Sequence, residues 1–277
     1  MKQKKQWITK SLKCIKYDLH EGLLRMYLFY LIGAVSVFVF ALDAWRKLHY
    51  EVENPGVMEL STKIFEGMPV FEYIQGGPRL EIPMTYLAFA LLACIPAAYY
   101  ARREWKQRGN IFLTRYQSKG IWWLSKCILC IVQVTIFYAM AFFIIWIMAG
   151  IHGNWGFEIR EEISMSCQGM LQTVQSWKIF LFAYVLGICT MTAITQMITS
   201  MQMLVSPVIA YAAAVGIFIV ASCIDKIYIL GNNMMLLRTK IFDEGGVGIS
   251  EIFLAALIFW IVFVFLGWII VKKKDIL

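Results

Sequence analysis

Residues 121–149 read IWWLSKCILCIVQVTIFYAMAFFIIWIMA, which is the longest apolar run in the chain. A helix needs about 20 apolar residues to cross the hydrocarbon core of a bilayer. Because lipid offers the backbone no hydrogen-bond partner, a run of this length in lipid must be helical. The run therefore predicts a membrane-spanning helix, and the pair Trp122 and Trp123 suits the headgroup region at its start.

Five further apolar runs lie on either side of this one. The composition agrees with them, because 60% of the residues are hydrophobic and only 16% are charged. The sequence therefore predicts an all-α membrane protein, with six transmembrane helices in a domain spanning residues 26–277. The five additional runs are 26–43, 84–101, 179–200, 204–222 and 251–271.

The basic residues are distributed unevenly between the two ends of these runs. Before the first run, between the second and third, and after the sixth lie 16 of the 26 basic residues and 4 of the 18 acids, and Lys126 lies just inside the third run. Cytoplasmic loops carry an excess of Lys and Arg, so both termini are predicted to be cytoplasmic. Nucleic-acid binding is the competing reading of the net charge of +8. The basic residues adjoin predicted membrane ends, so no nucleic-acid partner is expected.

Residues 1–25 carry a regular apolar stripe. At 3.6 residues per turn its members share one narrow face, with Lys10, Lys13 and His20 opposite. This pattern predicts a cytoplasmic amphipathic helix lying along the inner membrane surface. The alternative is an ordinary basic flank that only orients the protein. No A-x-A cleavage pattern follows, so no signal peptide is expected. The stripe consists of Ile8, Leu12, Ile15, Leu19, Leu23 and Met26.

The segment near 102–118 has the densest charge in the chain. Gly109-Asn110 is a helix-stop signal, so a short basic helix is predicted to leave the second span and break there. Such a mixed-charge cytoplasmic helix can dock on a soluble partner. The alternative is a positive-inside loop with no further role.

Motifs for catalysis are missing from the sequence. There is no G-x-x-x-x-G-K-[ST] phosphate loop, no H-E-x-x-H and no G-x-S-x-G. We therefore expect no enzyme activity, no catalytic residue, and no cofactor or metal in this chain. Cys127 and Cys130 form a C-x-x-C, for which burial as small apolar residues is favoured over redox or zinc chemistry. Whether Cys167 and Cys223 form an outer disulfide is left open.

Apart from Lys126 just inside the third span and the acids Asp43 and Glu251 at span ends, the polar residues inside the predicted spans are neutral and cluster in the fourth span. Hydrogen bonding between helices is their ordinary role, and lining a substrate path is the alternative. For such a path we single out Thr192, Thr195 and Gln196, which lie roughly on one face. Intramembrane acids that could couple transport to ions are missing, so a transporter of this kind would take its energy from elsewhere.

The order of these features resembles the permease subunit of a type-2 ABC exporter, the bacterial kind encoded apart from its ATPase. The resemblance covers the architecture of nearly the whole chain. Its local features are the motifs Tyr17-Asp18-Leu19, Arg115-x-x-Ser118, Trp122-Trp123-Leu124-x-Lys126 and Lys274-Asp275-Ile276-Leu277.

The resemblance implies a division of labour with other proteins. Residues 1–25 would be the connecting helix, and a coupling helix near 102–118 would receive a separate ATPase, present in two copies, that binds ATP and Mg. A second permease subunit, identical or related, would complete the path in the bacterial plasma membrane. Outer loops too small for a folded capture domain favour an amphiphilic substrate from the bilayer, such as a hydrophobic peptide, an antibiotic or a lipid-like molecule. The expected ATPase contacts are Arg103, Glu104, Lys106 and Arg108.

A second class of function stays open at this point. The chain could be a membrane accessory or immunity protein that moves nothing, or a membrane-embedded enzyme. An encoded neighbour with ATP-binding motifs would favour the permease. Intramembrane His, Glu or Asp residues would favour the enzyme, and the two acids of the predicted spans, Asp43 and Glu251, lie at span ends, where water reaches them.

Overall fold

The computed structural model describes residues 2–50, 52–69, 82–116, 118–160, 175–242 and 245–273. For residues 2–10, 99 and 107–116 it describes the backbone alone. Over these ranges the fold is helical, with no strand beyond an isolated bridge between Thr239 and Val247. The predicted all-α fold class is therefore confirmed.

The described residues form eight helices, which are numbered in chain order. Those of the first half are α1 (Lys2–Leu24), α2 (Tyr27–His49), α3 (Val57–Phe65) and α4 (Met84–Tyr116). Those of the second half are α5 (Lys119–Ile151), α6 (Ser176–Met201), α7 (Pro207–Cys223) and α8 (Ile249–Lys273).

Five of these elements are long and apolar enough to cross a membrane: α2, residues Met84–Lys106 of α4, α5, α6 and α8. The predicted run 204–222 forms α7, which is apolar but only 17 residues long. Five of the six predicted spans thus correspond to helices long enough to cross a membrane, and the sixth corresponds to a shorter helix. Ser206 caps α7 by accepting a hydrogen bond from the backbone of Ile209 at 3.3 Å, and Pro207 suits the first helical position.

Helix α4 does not stop where the sequence predicted. It continues through Gly109 and Asn110 to Tyr116, so the predicted break was wrong. A glycine inside a helix costs only about 1 kcal/mol relative to alanine, and a long helix tolerates that. One continuous helix therefore runs from the predicted span into the basic segment. The amphipathic segment at the N-terminus is helical as predicted, as α1.

Helix α3 covers the end of the bundle at which α2 ends and α4 begins. Nearly all of its side chains are buried, including Glu59. Glu59 accepts a hydrogen bond from the backbone of Gly56 at 2.6 Å, and Arg160 donates to it through its side chain at 2.9 Å and 3.0 Å. The Ser61 hydroxyl lies 2.8 Å from the hydroxyl of Tyr184 in α6. These contacts fasten an outer segment inside the bundle.

Arg238 stabilises the same end of the bundle through hydrogen bonds to the end of α7. It is the last residue of the second of two short 3-10 turns, Asn232–Met234 and Leu236–Arg238. Its buried guanidinium donates to the carbonyls of Ser222 at 3.2 Å and Met68 at 3.1 Å, and to the carbonyl of Ala221. Carbonyls at a helix C-terminus lack partners within the helix, so Arg238 acts as a cap for α7.

Candidate functional site: a buried charge cluster joining three helices

Helix α1 packs against the bundle, mainly against α5, through a face of small and polar residues. Ser11, Cys14, Asp18 and Gly22 are buried and recur at helical spacing. Gly22 allows a close approach, because a Cβ there would lie 2.9 Å from a methyl carbon of Leu129 in α5. The contact surface of α1 is therefore this narrow face and differs from the predicted apolar stripe.

The apolar stripe of α1 lies beside this face and is only partly covered by the bundle. The side chain of Leu12 is 61% exposed, Ile15 and Leu19 are half-buried, and only Met26 at the end is buried. An exposed apolar stripe on a helix with a basic opposite face is typical of a helix lying in a membrane interface. The geometry thus leaves the stripe available for lipid, while the side chain of Ile8 lies outside the described part.

Three charged side chains meet where α1, α4 and α5 adjoin. The ammonium nitrogen Nζ of Lys126 lies 2.7 Å from Oδ1 of Asp18, and it also pairs with Glu104. The three side chains are 1%, 0% and 5% exposed for Lys126, Asp18 and Glu104. The hydroxyl of Ser125 donates a hydrogen bond to the second oxygen of Asp18. This group is called the charge cluster below.

Aromatic rings enclose the charge cluster. The Lys126 nitrogen lies 4.7 Å from the ring centroid of Tyr100 and 5.1 Å from that of Trp122, distances that suit cation–π attraction. The hydroxyl of Tyr100 is 3.4 Å from oxygens of both Asp18 and Glu104. Trp105 stacks edge-on against Trp122, with 4.7 Å between ring centroids. The rings exclude water, so the ionic contacts act in a medium of low polarity.

The cluster is costly to break. Desolvation of buried ions offsets much of their attraction, so the intact cluster contributes little net stability. Removal of one partner is different, because the remaining charge stays buried without compensation, at about 3–5 kcal/mol. With one ammonium for two carboxylates, Lys126 is the member whose loss matters most. The cluster therefore holds three helices in a single relative arrangement.

The cluster also affects the thiol of Cys14 next to it. Burial, and then the nearby Asp18 carboxylate, raises the pKa of Cys14 to about 12. The thiol is therefore neutral and poorly nucleophilic at neutral pH.

The predicted ATPase contacts separate into two groups. Arg103 and Lys106 are exposed, as a docking surface requires. Glu104 faces inward into the charge cluster, so its predicted place on a partner-facing surface does not fit the geometry. Arg103 and Lys106 face outward from the same helix because a helix turns by about 100° per residue. The side chain of Arg108 lies outside the described part, although its backbone belongs to α4.

The residues predicted to line a substrate path are all buried in α6. Thr195 donates to the sulfur of Cys94 in α4 at 3.8 Å. Gln196 lies beside the thiol of Cys127, yet neither atom of its amide has a well-aligned hydrogen-bond partner within the described chain. Thr192 lines a small apolar cavity between α5, α6 and α8. The three residues therefore contact different neighbours, and the walls of the cavity beside Thr192 do not include Thr195 or Gln196.

The cysteines of α5 behave as small core residues. Cys127 and Cys130 are buried free thiols, and the Cys130 sulfur lies 3.2 Å from the hydroxyl of Thr199. In the part of the chain that the structure describes, no group of three His, Cys, Asp or Glu side chains could hold a metal ion. Cys223 is exposed and pairs with no described cysteine, and Cys167 lies outside the described residues, so whether the two form a disulfide stays open.

The fold and the charge cluster together define a class: all-helical chains with several helices long and apolar enough to cross a membrane, held together at one end by buried ions. Within that class the chain belongs to the DUF2705 family, described as a protein of unknown function, whose model matches residues 59–277. The match contains Glu104 and Lys126 and begins after Asp18. Neither the curated proteins nor the solved structures gave a match.

Proposed function

We propose that the chain is the membrane-spanning permease subunit of an ATP-driven exporter in the bacterial plasma membrane, driven by a separate ATPase subunit. The observation that carries this proposal is the charge cluster. It joins the three elements that a coupled permease needs to move together: the interfacial helix α1, the charged helix α4 and the long span α5.

In this proposal, movement is transmitted from the C-terminal end of α4. Residues 107–116 extend about 15 Å beyond Lys106, at 1.5 Å per residue. Because α4 is one continuous helix, a displacement of this extension moves Glu104 at its base. Glu104 is tied to Lys126 and through it to Asp18, so α5 and α1 follow. We assign the ATPase contact to this extension, with Arg108 on it and Arg103 and Lys106 at its base.

The topology of the proposal has six spans and two cytoplasmic termini. Five helices meet the length requirement, and α7 provides the sixth. Its 17 residues span about 26 Å, against a hydrocarbon core of about 30 Å. The positive-inside charge distribution then places the charge cluster and the α4 extension on the cytoplasmic side.

An amphiphilic substrate suits the interior better than an ion or a sugar. The cavity beside Thr192 has a volume of about 210 Å³ and apolar walls that include Ile131, Ile188 and Leu257. Within the described chain, the hydroxyl of Thr192 and the indole nitrogen of Trp260 in the same walls have no hydrogen-bond partner. Apolar walls with a few unpaired polar groups favour a hydrophobic ligand that carries a hydrogen-bonding group.

Purification from native membranes tests the proposal. The tagged chain, extracted in a mild detergent, is expected to retain a protein with ATP-binding motifs, and a second copy of itself or a related permease. The complex should hydrolyse ATP. Retention of membrane partners without any nucleotide-binding protein would instead support a non-transporting accessory protein.

A further inference from the structure

A basic cavity opens where α1 joins α2, where the predicted span of α4 ends and where α7 begins. Its volume is about 300 Å³, within the range of small-ligand sites. Four of the seven lining residues are basic: Arg25, Arg102, Arg103 and Lys106. This concentration of positive charge lies on the side of α4 turned away from the charge cluster.

These cations are poorly neutralised by the protein. Arg25 pairs with Glu21 at 2.6 Å. Within the described chain, no acidic side chain pairs with Arg102, Arg103 or Lys106. Atom Nη1 of Arg102 is buried and has no hydrogen-bond partner among the described residues. A buried donor without an acceptor is unfavourable, and the penalty is larger when the group is charged. An anion bound in the cavity would remove that penalty.

The remaining walls of the cavity are apolar. Met26, Phe29 and Pro207 supply them. Met26 and Phe29 stand at the start of α2, and Lys106 ends the membrane-crossing part of α4, so the cavity lies at one end of the apolar helices. A ligand here meets guanidinium groups on one side and hydrocarbon on the other. That combination matches a phosphate attached to an acyl chain.

We propose that this cavity binds the headgroup of an anionic phospholipid. The phosphate sits on the guanidinium groups of Arg102 and Arg103, which can each donate two hydrogen bonds to it, and Lys106 and Arg25 add charge. The acyl chain runs along Phe29. This inference stands independently of the exporter proposal, since it needs neither an ATPase nor a transported substrate.

Native mass spectrometry of the purified full chain in detergent tests the site. The probes are phosphatidylglycerol and phosphatidylcholine with identical acyl chains. We expect one phosphatidylglycerol to be retained in preference to phosphatidylcholine. The double variant Arg103→Gln with Lys106→Gln removes two exposed cations from the cavity, and should weaken phosphatidylglycerol binding roughly 20- to 30-fold, at about fivefold per charge. Phosphatidylcholine binding should not change.

The matched control is Lys272→Gln with Lys273→Gln, which removes two exposed cations from the last turn of α8, outside the cavity. This control should keep the preference. An equal loss of phosphatidylglycerol binding in both double variants would show that the lipid is attracted to the whole basic end of the protein. That result would overturn the proposed site. Arg102→Gln should weaken binding at least as much as one surface charge, about fivefold. Unaltered binding in a folded Arg102→Gln protein would also overturn it.

A separate experiment distinguishes a lipid site from a site for a free anion. Inorganic phosphate is added in excess before the lipid titration. We expect phosphatidylglycerol to remain bound, because the apolar wall contributes to lipid binding only. Complete displacement by inorganic phosphate would show a site for soluble phosphate and would overturn the assignment to a lipid.

Discussion

The ammonium group of Lys126 in α5 lies 2.7 Å from the carboxylate of Asp18 in α1, across 108 positions of sequence. Both side chains are buried, and Glu104 of α4 completes the group. This contact fixes the N-terminal helix to the bundle by a few buried ions, while the apolar stripe of the same helix stays partly exposed, most of all at Leu12. The packing of α1 against the bundle and its contact with lipid therefore depend on different faces of the helix.

Replacement of Lys126 by Met should destabilise the folded chain strongly. It leaves Asp18 and Glu104 buried next to each other without a cation, at about 3–5 kcal/mol. Lys47→Met is the matched control, because its ion pair with Asp43 is exposed and contributes less than about 1 kcal/mol. Thermal unfolding in detergent measures the difference. Equal melting temperatures for the two variants would show that the charge cluster does not hold the bundle.

Replacement of Leu12 by Glu should act through the membrane and leave the internal packing intact. Leu12 is 61% exposed, so the variant should melt like the wild type in detergent. In lipid nanodiscs the added charge removes an apolar contact with the interface, and α1 should become more accessible to protease. Lys13→Glu, on the same exposed helix but outside the stripe, should show a smaller effect. Identical protection of both variants would mean that the stripe does not contact lipid.

Replacement of Arg238 by Met should destabilise the end of the bundle around α3 and α7. The carbonyls of Ala221 and Ser222 lose their buried donor, which costs about 1–3 kcal/mol for each unsatisfied group. Lys240→Met offers the control, since its contact with Glu251 is a half-exposed pair at 3.7 Å. Hydrogen exchange at the C-terminal turn of α7 should accelerate only in the Arg238 variant. Unchanged exchange there would exclude the capping role.

Cys14 should resist alkylation although it lies in a surface helix. Its pKa is raised to about 12, so the thiolate is scarce from about pH 7 to about pH 9, and the residue is buried. Cys223 is exposed and should react with maleimide under the same conditions. Peptide mapping after labelling compares the two sites. In the Lys126→Met variant Cys14 should become reactive if α1 detaches, and its continued protection would argue against attachment through the cluster.

The sequence predicts the long helices well because their length and apolarity are local properties. The quoted run 121–149 lies inside α5, and the stripe in residues 1–25 corresponds to α1. The end of α4 was missed because a glycine is only a weak stop signal within a long helix. Helix α3 was missed because its burial depends on Arg160, about 100 positions away, which neutralises Glu59.

The charge cluster could be predicted only in part. A lone Lys126 inside an apolar run signals a buried partner, because ionisable groups there pair with one another. Asp18, Glu21 and Glu104 are all acids near the same membrane end. Which of them pair with Lys126 depends on how α1 and α4 rotate against α5, and that is set by packing, for instance by Gly22 against Leu129. The charge density of residues 102–118, which singled out Glu104 as a partner contact, carries no such information.

The most direct test of whether the cluster couples an ATPase to the bundle is to exchange the charges of Lys126 and Glu104. The measurement is ATP hydrolysis by the purified complex. Lys126→Glu places three carboxylates together and should abolish productive assembly or hydrolysis. Adding Glu104→Lys restores one cation and two carboxylates at the same place, and we expect most of the activity to return. Hydrolysis that stays at the wild-type level in Lys126→Glu, or that is not recovered at all by the exchange in a folded protein, would contradict the role given to the cluster.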